Sequence, residues 1–126
     1  MELTTYIQIP PNLWSGIYAT GSAVICNPPV ADTDKDFIIW AINPALLIDF
    51  LVQNRFEVSR NGHGRYDFDP SNGITCLRRQ EVNIIVTGDY TFYLKFVDAT
   101  ILATKLNLLE KSQRIALFQY VLYGNV

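Results

Sequence analysis

The sequence has few of the residues from which metal centres and hydrolytic active sites are commonly built. Its 126 residues include two cysteines, one histidine and one methionine. Cys26 and Cys76 stand in no CxxC or Cys/His spacing, which argues against a structural zinc site and against a disulfide framework. The single histidine, His63, has no nucleophile partner that the sequence identifies, so a Ser/His/Asp hydrolase is excluded.

Charged residues and long apolar runs are also scarce. Only 17% of the residues are charged, the net charge is −2 and 49% are hydrophobic, a balance that argues against disorder and against a strongly basic nucleic-acid wrapper. No apolar run approaches the roughly 18 to 20 residues that span a membrane, and Met1–Pro11 has no basic cluster ahead of an apolar stretch. We therefore expect one domain over residues 1–126, no membrane contact and a cytoplasmic location.

The few charges are unevenly divided along the chain. Up to residue 54 there are five acidic residues and one basic residue, whereas from Arg55 onward there are seven acidic and nine basic residues. An acidic half joined to a basic half suits a site that binds a cation and a polyphosphate together, although a chance distribution of surface charge gives the same pattern.

Hydrophobic periodicity and turn residues predict an α+β domain. The first segment, Thr4–Ile9, ends at two prolines and is predicted to be an edge strand or an arm. The last pair of strands is expected to be antiparallel, with its turn at Gln80 and Glu81. The strands are predicted at Trp14–Thr20, Asp34–Ile42, Phe56–Ser59, Ile74–Arg79 and Val82–Thr87.

Three helices are also predicted. Asn43 and Pro44 are typical of a helix start, with a capping residue before a proline in the first turn, and Ala45–Gln53 continues the helix. Apolar residues at helical spacing in the last third predict two C-terminal helices separated near Asn107. Their aromatic residues are expected to form core and an oligomer interface rather than a base-binding platform: Phe92, Tyr93, Phe96, Phe118, Tyr120 and Tyr123.

One combination of motifs points to chemistry. Asp34 and Asp36 stand at the head of an apolar strand, where residues two apart project from the same face. Paired carboxylates of this kind favour Mg²⁺ or Mn²⁺, which take hard oxygen ligands and often share them with substrate phosphates. Upstream, Gly21 and Ser22 end a predicted strand, where a glycine allows close approach and a hydroxyl with exposed N–H groups can cradle a phosphate.

The order of strand, Gly-Ser, interval, Asp-x-Asp and strand resembles the nucleotidyltransferase superfamily, which includes DNA polymerase β, the minimal MNT-type proteins and the CCA-adding enzymes. Over most of its length the chain is similar to small nucleotidyltransferase-like proteins encoded by bacteriophages. The segments that carry this likeness most clearly are TGSAVICNPPVADTDKDF and KLNLLEKSQRIALFQYVLYG. The resemblance implies a minimal nucleotidyltransferase fold, in which helices pack on a mixed β-sheet that carries the Asp-x-Asp strand.

The resemblance also implies roles for the motif residues. Gly21 and Ser22 would receive the triphosphate of an incoming nucleotide, while Asp34 and Asp36 would hold two Mg²⁺ or Mn²⁺ ions against the phosphates and the attacking hydroxyl. The sequence has Ala23 directly after the Gly-Ser pair, where a basic residue would be an obvious phosphate partner.

A third carboxylate is expected from a neighbouring strand, and here the sequence departs from the family pattern. Asn83 best matches that position but is an amide, which can ligate a metal without supplying charge, whereas Glu81 lies near the turn. Both are kept as catalytic candidates. Arg78 and Arg79 are candidates for binding the triphosphate, and one of them must face the carboxylates if their strand is central.

Other polar residues have a structural and a functional interpretation. Asp32 is either a loop residue, which we favour, or a third member of the acidic face. His63 is either an exposed loop residue or a substrate contact. A solvated face or a nucleic-acid contact strip is formed by Arg55, Arg60 and Arg65, with Tyr66 and Phe68 available for stacking.

Two functions follow from the resemblance and from the departure. The first is a metal-dependent transfer of a nucleoside monophosphate from a nucleoside triphosphate to a hydroxyl of RNA or protein. The second is a catalytically weakened module on the same fold, which binds a nucleotide or a host protein. Because a chain of this length leaves little surface for an acceptor, a homo-oligomer or a host partner is expected to complete the cleft.

Overall fold

The computed structural model describes residues 2–26, 34–59 and 74–124. This part of the chain contains five strands and four helices, which confirms the predicted α+β class. The strands are β1 (Gly16–Thr20), β2 (Lys35–Trp40), β3 (Glu57–Val58), β4 (Ile74–Arg79) and β5 (Val82–Thr87). The helices are α1 (Ser22–Ile25), α2 (Pro44–Gln53), α3 (Tyr90–Lys105) and α4 (Lys111–Tyr123), with 3₁₀ turns at Leu3–Thr5 and Pro11–Leu13.

The strands form one mixed sheet in the order β1-β2-β5-β4-β3. β2 and β5 are parallel, and the other neighbouring pairs are antiparallel. The predicted antiparallel pair over Ile74–Arg79 and Val82–Thr87 is confirmed, and its tight turn contains Gln80 with φ of 54°. β2 and β5 therefore lie side by side at the centre, so their polar residues are brought together from distant parts of the sequence.

The sheet separates two hydrophobic layers, because side chains alternate between its faces. Phe37 and Ile39 of β2 belong to the core that includes α2 and the N-terminal segment, whereas Ile38 belongs to the core under α1, α3 and α4. All three are at most 1% exposed. Phe96 of α3 and Phe118 of α4 meet edge to face with ring centroids 4.9 Å apart. The expected core role of the C-terminal aromatic residues is thus confirmed for these two and for Phe92, which is 7% exposed.

The helix boundaries agree with the sequence signals, although the capping contacts differ in part. Pro44 occupies the first turn of α2 as predicted, but the Asn43 side chain makes no capping hydrogen bond. The α3 N-terminus is capped by Asp89, whose carboxylate accepts a hydrogen bond from the Phe92 backbone N–H at 3.1 Å. Asn107, with φ of 50°, lies in the expected break between α3 and α4.

Three expectations need correction or refinement. Of the two forms considered for Thr4–Ile9, the arm is correct, because the segment follows from a 3₁₀ turn at Leu3–Thr5 and buries Ile7 in the core instead of pairing in the described sheet. β3 is shorter than its predicted range, and the short helix α1 was not predicted. No helix in the described ranges is long and apolar enough to span a bilayer.

Candidate functional site

The sheet register lines up four polar side chains across one end of one face. Thr20 on β1 is the cross-strand partner of Asp36 on β2, Asp36 pairs with Asn83 on β5, and Asn83 pairs with Arg78 on β4. Asp34 lies two positions before Asp36 and therefore on the same side of the sheet. We call Asp34, Asp36, Arg78 and Asn83 the carboxylate network, because hydrogen bonds connect all four side chains.

Asn83 stands at the centre of the carboxylate network. Its Nδ2 donates to Asp36 Oδ1 at 2.9 Å and to Asp34 Oδ2 at 3.3 Å. Its Oδ1 accepts a hydrogen bond from Arg78 Nη1 at 3.3 Å. The amide therefore links the two carboxylates to each other. Asn83 occupies the position where the family resemblance implies a third carboxylate.

Arg78 completes the network from β4. Its Nη1 donates to Asp34 Oδ2 and its Nη2 donates to Asp34 Oδ1, both at 3.1 Å, so the ion pair is bidentate. The Arg78 and Asp34 side chains are 41% and 44% exposed. Solvent therefore screens this pair, whose contribution to stability is about 0 to 1 kcal/mol. The same exposure leaves the pair accessible to a ligand.

Gly21 lets the chain pass close to Asp36. It has φ of 80° and ψ of −175°, a conformation that side chains with a Cβ rarely adopt. A Cβ added here would overlap Asp36 Oδ2 and lie 2.9 Å from Asp36 Cγ. The glycine is thus required by the backbone and by the neighbouring carboxylate. Gly21 of the predicted motif therefore lies against Asp36, and Ser22 follows as the first residue of α1.

Thr20 anchors the same end of the sheet to α3, a role that sequence reasoning missed. Thr20 Oγ1 and Thr100 Oγ1 are 2.7 Å apart, and both residues are at most 2% exposed. Thr100 Oγ1 also donates to the Phe96 carbonyl at 2.9 Å. Because that donation uses its only hydroxyl hydrogen, Thr20 must donate to Thr100. A threonine directly before Gly-Ser was the available signal.

Of the two arginine candidates, the register selects Arg78. Arg79 projects from the opposite face, where it donates to the carbonyls of Asn54 at 2.9 Å and Tyr6 at 2.7 Å. Its guanidinium carbon also lies 4.6 Å from the centre of the Phe56 ring. These contacts tie the N-terminal arm and the end of α2 to β4, which is a structural role.

Glu81 is exposed in the turn between β4 and β5. Its backbone carbonyl accepts a hydrogen bond from the Lys35 N–H at 2.7 Å. The residue in line with Asp36 is Asn83, so the register favours the amide over Glu81 as the third member of the site. Arg55 is exposed after α2. The remaining candidates lie outside the described residues: Asp32, Arg60, His63, Arg65, Tyr66 and Phe68.

Cys76 borders the site two residues before Arg78 on the same strand face. Burial raises the pKa of its thiol from 9.0 to about 12. A thiol with so high a pKa carries almost no thiolate near neutral pH. Cys76 packs against the core under α1, α3 and α4, and its thiol is a poor nucleophile near neutral pH.

The oxygen atoms of the network match the preference of Mg²⁺ and Mn²⁺ for hard ligands. Asp34 and Asp36 supply two carboxylates, and substrate phosphates commonly complete such a site. Within the described residues, no three His, Cys, Asp or Glu side chains lie close enough together to hold a metal ion.

The chain has no significant match among known protein families, curated proteins or solved structures. The function must consequently be inferred from the arrangement of its own residues.

Proposed function

We propose that the chain is a metal-dependent nucleotidyltransferase, which moves a nucleoside monophosphate from a nucleoside triphosphate to a hydroxyl of RNA or protein. The observation that carries this proposal is the close approach of Gly21 to Asp36 at one end of the sheet, where Asn83 links Asp36 to Asp34. The mixed sheet and its order of motifs are compatible with the minimal nucleotidyltransferase fold.

The chain's own residues would bind and orient the two substrates. Asp34 and Asp36 would hold Mg²⁺ or Mn²⁺, which when bound supplies positive charge to the phosphates and to the attacking hydroxyl. Arg78 is placed to contact the triphosphate with a planar pair of donors, and Ser22 would add a hydroxyl. The acceptor oxygen would bond to the α-phosphorus as the bond to pyrophosphate breaks, and the hydroxyl proton passes to water.

Nucleoside triphosphates and Mg²⁺ are cytoplasmic, so we place the reaction in the cytoplasm, which for a phage-encoded protein is that of the host. The carboxylate network lies at the sheet end and is partly exposed to solvent. An RNA end, a host protein or a second copy of the chain would therefore approach the network from this end and complete the cleft.

Label transfer tests the proposal. The protein would be incubated with each α-labelled nucleoside triphosphate, Mg²⁺ or Mn²⁺, and host RNA or lysate. We expect covalent label and pyrophosphate release, and a loss of about 100-fold or more in Asp34→Ala and Asp36→Asn, since both change charges that act on the reacting phosphate. Asp49→Asn is the matched control, because Asp49 is exposed on α2 across the sheet. If the wild type is inert with every nucleotide and both metals, the proposal fails.

A second candidate function is a catalytically weakened module that binds nucleotide without transferring it. Asn83 favours this alternative, because its amide replaces a charge between the two carboxylates. Calorimetric titration would then show nucleotide and Mg²⁺ binding with no turnover, whereas sustained pyrophosphate release would exclude it.

Two further variants locate the third ligand. If Asn83 fills that position, Glu81→Gln leaves transfer unchanged, and Asn83→Asp tightens metal binding by restoring a charge beside Asp34 and Asp36. If Glu81 fills it, Glu81→Gln abolishes transfer. A structure with Mn²⁺ and a nucleotide analogue would show the contact directly.

A further inference from the structure

Both carboxylate oxygens of Asp34 are already engaged by other groups of the protein. Arg78 Nη2 donates to Oδ1, while Oδ2 accepts hydrogen bonds from Arg78 Nη1 and from Asn83 Nδ2. These three contacts occupy three of the roughly four acceptor positions that the carboxylate offers to a cation. A positively charged guanidinium beside the same oxygens also repels a second cation. Arg78 and a metal ion therefore compete for the Asp34 carboxylate.

Arg78 is held loosely enough to leave. The pair is more than two-fifths exposed on both sides, and exposed pairs of this kind contribute little to stability because water and salt screen them. Arg79, one residue further along β4, is held differently, because two backbone carbonyls and an aromatic ring fix it on the opposite face. Of the two described arginines on β4, it is Arg78 that combines contact with a site carboxylate and a side chain free to reorient.

We infer that Arg78 is a displaceable internal cation that makes metal binding depend on the nucleotide. In the free protein it neutralises Asp34 and disfavours binding of a metal ion alone. When a triphosphate enters, the guanidinium transfers from Asp34 to the phosphate and releases the carboxylate for the metal. Nucleotide and metal therefore bind with positive coupling, and the coupling is reciprocal. This inference rests on the proposed nucleotide and metal site, and it adds the order in which that site is filled.

One substitution should change the affinity for Mn²⁺ and the affinity for nucleotide in opposite directions. Arg78→Gln removes the competing cation, so Mn²⁺ alone should bind about fivefold more tightly, which is the upper range for releasing an exposed ion pair. The same change removes the phosphate contact, so nucleotide should bind about tenfold or more weakly. Arg78→Lys keeps the charge but loses the two-pronged geometry, so its Mn²⁺ affinity should lie between those of the wild type and the glutamine variant.

The test uses the full chain and two measurements. Electron paramagnetic resonance of free Mn²⁺ gives metal affinity without nucleotide. Calorimetry with each of the four α,β-methylene nucleoside triphosphates at saturating Mn²⁺ gives nucleotide affinity. Lys95→Gln serves as the charge-matched control, because Lys95 is exposed on α3, and it should change neither affinity. Circular dichroism establishes that each variant is folded.

The outcomes distinguish the inferred role of Arg78 from the proposed nucleotide and metal site on which it rests. Tighter Mn²⁺ binding with weaker nucleotide binding in Arg78→Gln supports the displaceable cation. If the wild type binds Mn²⁺ and Arg78→Gln leaves that affinity unchanged or reduces it, the inference is overturned while the proposed site stands. If no variant binds Mn²⁺, either alone or with any of the four analogues, both are overturned.

Discussion

Replacing Gly21 by alanine tests whether this glycine positions the carboxylate network. The glycine lies between β1 and α1, and the added methyl group would overlap Asp36 Oδ2. Asp36 would have to rotate away, and its hydrogen bond from Asn83 Nδ2, now 2.9 Å long, would be lost. The substitution should therefore lower both the stability of the protein and the affinity of the proposed site for a metal ion.

The expected magnitude has two terms. The first is backbone strain at φ of 80° and ψ of −175°, a region where a residue with a Cβ is destabilised by about 1 to 3 kcal/mol. The second is the lost contact between Asn83 and the Asp36 carboxylate, which we set at about 1 kcal/mol, below the buried range, because Asp36 is only partly buried. Together, Gly21→Ala should lower the free energy of unfolding by about 2 to 4 kcal/mol.

Urea unfolding of four proteins separates these terms: the wild type, Gly21→Ala, Asp36→Ala and the double variant. Asp36→Ala removes the carboxylate and leaves Cβ, 3.0 Å from the added methyl group, as the remaining neighbour in that side chain. Gly21→Ala should therefore be less destabilising in the Asp36→Ala background, by about 1 kcal/mol. Equal destabilisation in both backgrounds would refute the packing argument.

A second glycine provides an external reference for the backbone term. Gly124 has φ of 66°, and a Cβ added there meets nothing within 4 Å. Gly124→Ala should be destabilising by only about 1 kcal/mol, because it adds backbone strain without a collision. If Gly21→Ala is no more destabilising than Gly124→Ala, neither the overlap with Asp36 nor the unusual ψ at Gly21 has the importance assigned to it.

Two further predictions concern the residues that surround the network. Thr100→Val should lower the free energy of unfolding by about 1 to 3 kcal/mol, because it leaves the buried Thr20 hydroxyl without an acceptor. Thr20→Val should lower it by only about 1 kcal/mol. Equal effects of the two variants in urea unfolding would contradict the assigned donor direction. Because burial raises the pKa of Cys76 from 9.0 to about 12, its thiolate fraction near pH 8 is about 1000-fold below that of an unperturbed thiol. In a Cys26→Ala background, alkylation of folded Cys76 should be correspondingly slow and should accelerate as pH rises towards 12 or when urea unfolds the chain; rapid alkylation of the folded protein at pH 8 would contradict this.

The strands could be predicted from the sequence because their periodicity is local. Ile74–Arg79 and Val82–Thr87 are dense in β-branched and apolar residues and are separated by a two-residue turn, so both limits were predictable. α1 has only four residues, too few to show a helical period. The parallel pairing of β2 with β5 joins segments more than forty residues apart, and no local pattern specifies such a pairing.

The candidate site shows the same division between local and long-range information. That Asp34 and Asp36 share a face follows from the two-residue period of a strand. The choice between Arg78 and Arg79, and between Glu81 and Asn83, depends on which residue lies opposite Asp36 across the sheet. Register supplies that answer, because a shift of one residue would exchange the two faces of β5.

Asn83 links the two neighbouring carboxylates through its side-chain amide. A third carboxylate at this position would repel both, whereas the amide donates to Asp34 and Asp36 at once. The network of two carboxylates, one guanidinium and one amide has a formal charge of −1. With a third carboxylate in place of the amide, the formal charge would be −2. In the proposed metal site, the amide would hold the two carboxylates in place and would reduce their attraction for cations. A trade-off of this kind makes Asn83→Asp informative, because the variant should bind Mn²⁺ more tightly and unfold more easily in the absence of metal.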